Sequence, residues 1–222
     1  MGKPFILGIV GSPRRNGNTE RMLKWALEEA EKHGVQTELI ALYDKKIKPC
    51  RHCDRCVRER DGECAIKDDF QAIMERMSQA DGLILASPVY FGYASPYLSA
   101  LTSRTRCKFF TDEGTPLANK LGASIAVGGM RYGGQELTMH NIWGFYCVHN
   151  MIIINSEFVP TETGIKACYW GAGGIANHKG DIDKDEEGHL VAQALGRRFA
   201  KVAIATQGVA EKLAPTRFGE TF

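Results

Sequence analysis

An apolar run, a polar loop, a helical pattern and a second apolar run follow one another at the start of the chain, and this order strongly constrains the fold. Phe5–Val10 is a continuous apolar segment, as expected for a strand buried on both faces. Residues 18–33 then repeat apolar side chains at the period of a helix, which we expect Asn18 or Thr19 to cap. Residues 35–42 form a second strand, so the segment predicts a right-handed β–α–β unit with parallel strands.

The same alternation continues along the chain. Apolar runs at 83–86, 120–127 and 151–154 predict three more strands, and helical patterns separate them. Five strands alternating with helices predict a doubly wound α/β sheet. The short connections fit the flavodoxin-like five-stranded parallel sheet, with strand order 2-1-3-4-5, better than the six-stranded dinucleotide fold. We expect a single domain over residues 1–222, with a cysteine-rich loop inserted after strand 2 at 44–67, an irregular segment at 155–185 and a C-terminal helix at 187–213.

Charge and hydropathy exclude several classes of function. The net charge is +2 over 222 residues, which indicates neither a nucleic-acid partner nor an acidic tail. Because no apolar run approaches 18 residues and no signal-peptide pattern is visible, we expect neither a membrane span nor secretion. We therefore expect a cytoplasmic protein, in which unpaired cysteines remain thiols or bind metal.

Four of the chain's seven cysteines lie close together in the spacing C-x2-C-x2-C-x7-C, at Cys50, Cys53, Cys56 and Cys64. Iron–sulfur loops use cysteine thiolates at such C-x2-C-x2-C spacing. The fourth cysteine is local, and Gly62 can provide the return turn, which suggests a self-contained [4Fe–4S] site. Structural zinc usually takes two short pairs separated by a longer spacer, and disulfides are disfavoured in the cytoplasm. Zinc and a metal-free thiol loop remain as alternatives.

Three loops lie at the carboxyl ends of the predicted strands, where ligands bind in open α/β sheets. The first, residues 11–19, carries hydroxyls and amides into a helix N-terminus, which favours an anion. It matches neither G-x-x-x-x-G-K-[ST] nor G-x-G-x-x-G, so a small monophosphate is favoured over a nucleoside triphosphate or a dinucleotide. The second, residues 88–93, is aromatic and suits a flat ring. The third, residues 128–135, is glycine-rich and permits close backbone approach. Taken alone, each loop is also explained as an ordinary connection.

Taken together, these motifs resemble a known family. The segments Gly11-Ser12-Pro13-Arg14-x-Asn16-Gly17-Asn18-Thr19, Ser87-Pro88-Val89-Tyr90-Phe91-Gly92, and Gly128-Gly129 with Gly133-Gly134-Gln135-Glu136 resemble the flavodoxin-fold NAD(P)H-dependent FMN reductase superfamily over residues 5–150. With the cysteine run, the chain is similar to the iron–sulfur flavoprotein branch. The resemblance implies that the FMN phosphate is held by Ser12, Arg14, Asn16, Gly17, Asn18 and Thr19. It implies that the flavin ring faces Pro88, Val89, Tyr90, Phe91 and Gly92 on one side and Gly129, Tyr132, Gly133 and Gly134 on the other.

The resemblance also implies an activity. We expect an FMN-binding electron-transfer oxidoreductase that links a one-electron donor such as ferredoxin to an acceptor through [4Fe–4S] and FMN, with no catalytic side chain. The metal ligands would be Cys50, Cys53, Cys56 and Cys64. NAD(P)H is an alternative donor, and a homodimer or homotetramer is implied, with the cluster near a neighbouring subunit's flavin. The alternatives are a clusterless NAD(P)H-dependent FMN or quinone reductase and a zinc-stabilised flavodoxin-like carrier.

Overall fold

The computed structural model describes residues 2–111 and 113–213. Its central sheet is parallel and has the order β2-β1-β3-β4-β5, which confirms the predicted flavodoxin-like order. The order reverses between β1 and β3, so the carboxyl ends of these two strands form the crevice in which ligands bind in such sheets. The strands are β1 Phe5–Val10, β2 Gln36–Ala41, β3 Gly82–Pro88, β4 Leu121–Gly128 and β5 Ile152–Ile153.

Helices cover both faces of the sheet. The helix that follows β1 packs with the long C-terminal helix over one face, and the helices that follow the cysteine loop, β3 and β4 cover the other. No helix in the described ranges is long and apolar enough to cross a membrane. The helices are α1 Asn18–Lys32, α2 Arg55–Glu59, α3 Phe70–Gln79, α4 Pro96–Arg104, α5 Arg106–Phe109, α6 Gln135–Val148, α7 Glu186–Ala205 and α8 Val209–Lys212.

The fifth position of the sheet is shared by two short strands. β5 pairs only with the first two residues of β4, and a later strand, Ala172–Ile175, pairs with Ile125 to Gly128. The prediction of an irregular segment at 155–185 is therefore wrong in part. It contains the antiparallel hairpin β6 Val159–Thr161 and β7 Gly164–Lys166, then the strand just described, β8, and a 3-10 helix at Asp181–Lys184.

The predicted C-terminal helix at 187–213 is interrupted. α7 ends at Ala205, and Gly208 takes a left-handed φ of 76° before the short α8 begins. A residue in that conformation ends the regular helical hydrogen-bond pattern. The cysteine-rich loop lies where predicted, between β2 and α3, and it contains the single-turn helix α2.

Candidate functional site

The loop between β1 and α1 is fixed by hydrogen bonds to its own residues and to β3. The Gly11 amide donates to a β3 carbonyl at 2.8 Å. Ser12 is buried, and its Oγ accepts a hydrogen bond from the Arg14 amide at 3.2 Å. Asn16 adopts a left-handed φ of 50° and donates its amide to Glu20 Oε2 at 2.9 Å. These hydrogen bonds therefore fold the loop into a defined turn in front of α1.

The N-terminus of α1 has its first-turn amides free of a side-chain cap. The residue before the helix is Gly17, and no side chain within residues 2–111 and 113–213 caps it. The expectation that Asn18 or Thr19 caps α1 is wrong, because the Asn18 side chain donates to the His178 carbonyl at 2.7 Å and accepts from the Gly180 amide at 2.8 Å. Uncapped amides together with the helix dipole favour an anion at this end.

A cavity of about 320 Å³ lies between this loop and the loops that follow β3 and β4. This volume is within the usual range for small-molecule and cofactor sites. Eight of the residues predicted to contact the cofactor line it: Ser12, Arg14, Asn18, Thr19, Pro88, Val89, Tyr90 and Gly129. The strand ends thus bring the phosphate loop and part of each ring loop to one cavity.

The same cavity is also lined by two residues that sequence reasoning missed, Ala176 and Asn177. They follow β8, whose carboxyl end lies at the same edge of the sheet. The Ala176 amide donates to the Gly128 carbonyl at 2.8 Å. Residues 171–174 lie within the segment predicted to be irregular, and no local pattern there indicates a strand that would carry Asn177 to the site.

The turn at the tip of the loop after β3 lies outside this cavity. Tyr90 and Tyr93 exchange backbone hydrogen bonds of 3.0 and 2.9 Å, and the two residues between them, Phe91 and Gly92, have φ of 54° and 84°. A positive φ is uncommon for a bulky residue. This turn leaves the Phe91 ring fully exposed, next to the cavity-lining Tyr90. The predicted residues Asn16, Gly17, Phe91, Gly92, Tyr132, Gly133 and Gly134 all lie outside the lining of the cavity.

The loop after β4 contacts the loop after β3 and faces a second cavity. A Cβ on Gly134 would lie 3.2 Å from the Gly92 Cα, so the two loops touch directly. Tyr132 and Gly134 line a cavity of about 400 Å³ together with the N-terminal residues of α6 and α7 and with β8. The loop after β4 therefore lines both cavities, with Gly129 in the first and Tyr132 and Gly134 in the second.

The cysteine loop coils because four of its residues take left-handed backbone conformations. The φ angles of His52, Asp54, Arg60 and Gly62 are 53°, 55°, 53° and 73°. Cys50, Cys53, Cys56 and Cys64 all line one small cavity in this loop, and so do Arg104, Arg106 and the buried Cys107. None of the seven cysteines forms a disulfide. The structure thus places the four predicted ligands around a common space.

The cysteine cavity can be compared with the two kinds of site that four thiolates form in proteins. In the described part of the chain, no three His, Cys, Asp or Glu side chains form a group that can hold one metal ion. A structural zinc draws its sulfurs to about 2.3 Å from a single point. In a four-iron cluster each thiolate binds a different iron, so the sulfurs stand around a larger object. In both kinds of site the thiolates surround a common space, as the four cysteines do here.

The surroundings of the thiols are cationic and set their acidity in different directions. Hydrogen bonds from the Arg55 amide and the Arg51 side chain lower the pKa of Cys53. Burial raises the pKa of Cys56, and it raises the pKa of Cys107 to about 12. Cys107 is therefore a neutral thiol next to the four predicted ligands.

Helix α4 connects the ring loops to the cysteine loop. At its N-terminus, Ser95 donates its hydroxyl to the Gly11 carbonyl and accepts the Leu98 amide at 3.3 Å. At its C-terminus, Ser103 Oγ accepts the Cys50 amide at 3.3 Å. The helix has nine residues, which corresponds to a length of about 13 Å. A rigid element thus sets the spacing of the two sites within one chain.

Comparison with known proteins gives consistent results. A profile of the family described as NADPH-dependent FMN reductase matches residues 4–164. A protein named iron-sulfur flavoprotein from Methanocaldococcus jannaschii is 40% identical over 89% of this chain and 96% of its own length. A protein of the same name from Archaeoglobus fulgidus is 36% identical over 92% of this chain and 100% of its own length.

Solved structures support the fold. RosB with a bound riboflavin 5′-phosphate intermediate has a TM-score of 0.68 at 15% identity, over 99% of this chain and 91% of its own. A flavodoxin, WrbA-like protein from Agrobacterium tumefaciens has a TM-score of 0.60 at 15% identity, over 92% of this chain and 99% of its own. At these identities the likeness concerns the architecture alone.

Proposed function

This chain belongs to the iron–sulfur flavoprotein branch of the NADPH-dependent FMN reductase family, and we propose that it moves electrons between a [4Fe–4S] cluster and FMN. It is a flavin-dependent oxidoreductase with FMN as its cofactor. The observation that carries the proposal is the pair of sites joined by α4: a cavity at the phosphate and ring loops at one end, and four cysteines around a common space at the other.

The cavity at the phosphate loop fits FMN. The first-turn amides of α1, with Ser12 and Arg14, would hold the phosphate, because they combine hydrogen-bond donors with positive charge. The backbone of Pro88 to Tyr90 and of Gly129 would face the ring system. FMN supplies the redox chemistry when bound, since it takes two electrons and can exchange them one at a time. The chain's own residues position the flavin and exclude water from one side of it.

The cysteine loop fits the cluster. Cys50, Cys53, Cys56 and Cys64 would be the four thiolate ligands. The loop is already coiled by its left-handed residues and is hydrogen-bonded to the C-terminal end of α4, so little reorganisation is needed. A cluster accepts one electron at a time, which suits a one-electron donor such as a ferredoxin-like protein.

Exposed aromatic side chains near the flavin cavity suit a macromolecular neighbour. The Phe91 ring is fully exposed and Tyr132 is 96% exposed, and large exposed apolar groups that lie together mark interaction sites. We propose a homodimer or homotetramer in which a neighbouring subunit covers these rings. In such an assembly the electron acceptor of a cluster is the flavin of the same chain or of the next one.

Metal and sulfide analysis of anaerobically purified protein tests the proposal. About four iron and about four sulfide per chain, with FMN bound, are expected for one [4Fe–4S] cluster. A yellow protein without iron after anaerobic reconstitution, with rapid NAD(P)H oxidation that survives Cys53→Ser, would instead identify a clusterless NAD(P)H-dependent FMN or quinone reductase. Bound zinc in place of iron, without NAD(P)H oxidation, would identify a flavodoxin-like carrier.

A further inference from the structure

Arg104, the last residue of α4, is buried in a way that calls for a specific role. Its side chain has no exposed surface. A buried guanidinium is strongly destabilising unless its charge and its N–H groups are paired. Within the apolar face of α4, such a residue needs partners from elsewhere in the chain.

Those partners are the two ends of the cysteine loop. Arg104 Nη1 donates to the Lys48 carbonyl at 2.9 Å, and Nη2 donates to the Ile66 carbonyl at 2.8 Å. Lys48 lies two residues before the first predicted ligand, and Ile66 lies two residues after the last one, Cys64. One guanidinium therefore bridges the base of the whole loop.

The same guanidinium is oriented by a carboxylate and an aromatic ring. Nη1 also donates to Asp68 Oδ2 at 3.0 Å, and the guanidinium carbon lies 4.6 Å from the centre of the Phe70 ring. Burial alone would raise the pKa of Asp68, but hydrogen bonds from the Lys48 amide and from Arg104 hold it below its usual range. Asp68 therefore stays ionised and fixes the orientation of the Arg104 guanidinium.

The remaining edge of Arg104 points at a ligand sulfur. Nε donates to Cys64 Sγ at 3.0 Å. A second arginine repeats this contact more loosely: Arg106 Nη1 lies 3.5 Å from Cys56 Sγ, while its Nη2 donates to Asp54 at 2.8 Å. In both arginines, one N–H group donates to a carboxylate and a different N–H group faces a cysteine sulfur.

We propose that Arg104 is a positioning residue of the cysteine site, which closes the base of the loop and donates an N–H···S hydrogen bond to Cys64 that raises the reduction potential of the cluster. This inference rests on the [4Fe–4S] cluster of the proposed function. Reduction adds negative charge that is shared with the thiolate sulfurs, and a hydrogen-bond donor stabilises that added charge. Because Asp68 largely balances the charge of Arg104, the directed N–H donor is the larger influence.

The test uses Arg104→Lys, which keeps the positive charge and removes the donor at Nε. The matched control is Arg76→Lys, because Arg76 also pairs with a carboxylate, Glu38, and lies 4.7 Å from the Phe5 ring, and it is on α3, away from the cysteine cavity. The midpoint potential of each anaerobically purified protein is measured by a redox titration followed by electron paramagnetic resonance, after iron and sulfide have been quantified.

We expect Arg104→Lys to retain iron and to have an equilibrium constant for reduction about tenfold lower, which is a fall of about 59 mV for one electron. Arg76→Lys should match the wild type. A full iron content with an unchanged potential in Arg104→Lys overturns the inference and leaves the proposed function standing. Absence of iron from the wild-type protein overturns both.

A second measurement covers the case in which Arg104→Lys folds but loses its iron. Amide hydrogen exchange of the metal-free proteins is compared by mass spectrometry. If Arg104 closes the base of the loop, exchange in Arg104→Lys becomes faster in residues 48–68 and is unchanged in the segments of β1 and α1. Equal exchange of residues 48–68 in the variant and the wild type overturns the positioning role.

Discussion

His149 is a buried histidine that should make the stability of this protein depend on pH. Its ring nitrogens lie 2.9 Å from Thr105 Oγ1 and 2.7 Å from Thr115 Oγ1, and its ring packs against Phe109 and Phe145. Thr105 follows the last residue of α4, so this contact holds the helix junction that carries both arginines of the cysteine site. Burial without a charged partner lowers the pKa of His149 from 6.5 to about 4.

The direction of the effect follows from the lowered pKa. The unfolded chain takes up a proton at His149 as the pH falls below 6.5, and the folded chain does so only near pH 4. Stability that is fully present above pH 6.5 is therefore lost as the pH falls toward 4. Between about pH 7.5 and about pH 5 the two pKa values correspond to a loss of roughly 2 kcal/mol in the free energy of unfolding.

Urea unfolding of the wild type and of His149→Gln, at both pH values and with saturating FMN, measures this loss. Gln can bond to both threonines but does not titrate. We expect the variant to lose about 2 kcal/mol less than the wild type over this pH interval, whatever its absolute stability. The interval lies above the pH at which carboxylates with lowered pKa values take up protons. Equal losses in the two proteins would refute the argument.

Three further predictions concern the loops and the helix packing. Gly134→Ala should lower the free energy of unfolding by about 1–2 kcal/mol, because an L residue at its φ of 95° is strained by about that amount and contacts the other ring loop; an unchanged midpoint of urea unfolding would contradict this. Asn18→Ala removes both side-chain hydrogen bonds to residues 178–180 and should lower the free energy of unfolding by about 1–3 kcal/mol, measured in urea; equal midpoints would disprove it. Gly196→Ala places a Cβ against the Ala26 carbonyl oxygen and should cost about 1–3 kcal/mol through separation of α1 and α7; a melting temperature equal to that of the wild type would be inconsistent with this packing.

β1, β3 and β4 could be predicted because they are almost entirely buried and largely apolar. β2, with the sequence QTELIA, is half-buried, and it could be predicted because it follows α1 in a β–α–β unit. β8 could not, since its sequence Ala172-Gly173-Gly174-Ile175 has the composition of a loop. One of its glycines is tightly packed: a Cβ on Gly174 would lie 2.7 Å from Met22 Sδ and 2.8 Å from Ile182 Cδ1. Met22 lies on α1, far from β8 in sequence, so the local pattern does not reveal this contact.

The residues of the candidate site also fall into those that the sequence predicts and those that it does not. The cysteines and the phosphate loop could be recognised from spacing and residue type, because their chemistry is local. Arg104 could not, because an arginine in the last turn of an amphipathic helix normally faces solvent. Its burial depends on the Lys48 and Ile66 carbonyls, which lie 56 and 38 residues earlier in the chain. The sequence did not predict Asn177 as a site residue, because Asn177 follows β8, whose composition is typical of a loop.

The number of electrons that one chain accepts tests the central claim most directly. Anaerobic protein is titrated with a one-electron reductant, and the flavin absorbance and the paramagnetic signal of the cluster are followed together. We predict that the wild type accepts about three electrons per chain, two on FMN and one on the cluster, and that Cys53→Ser accepts about two. Uptake of only two electrons by the wild type, equal to that of Cys53→Ser, would contradict the account.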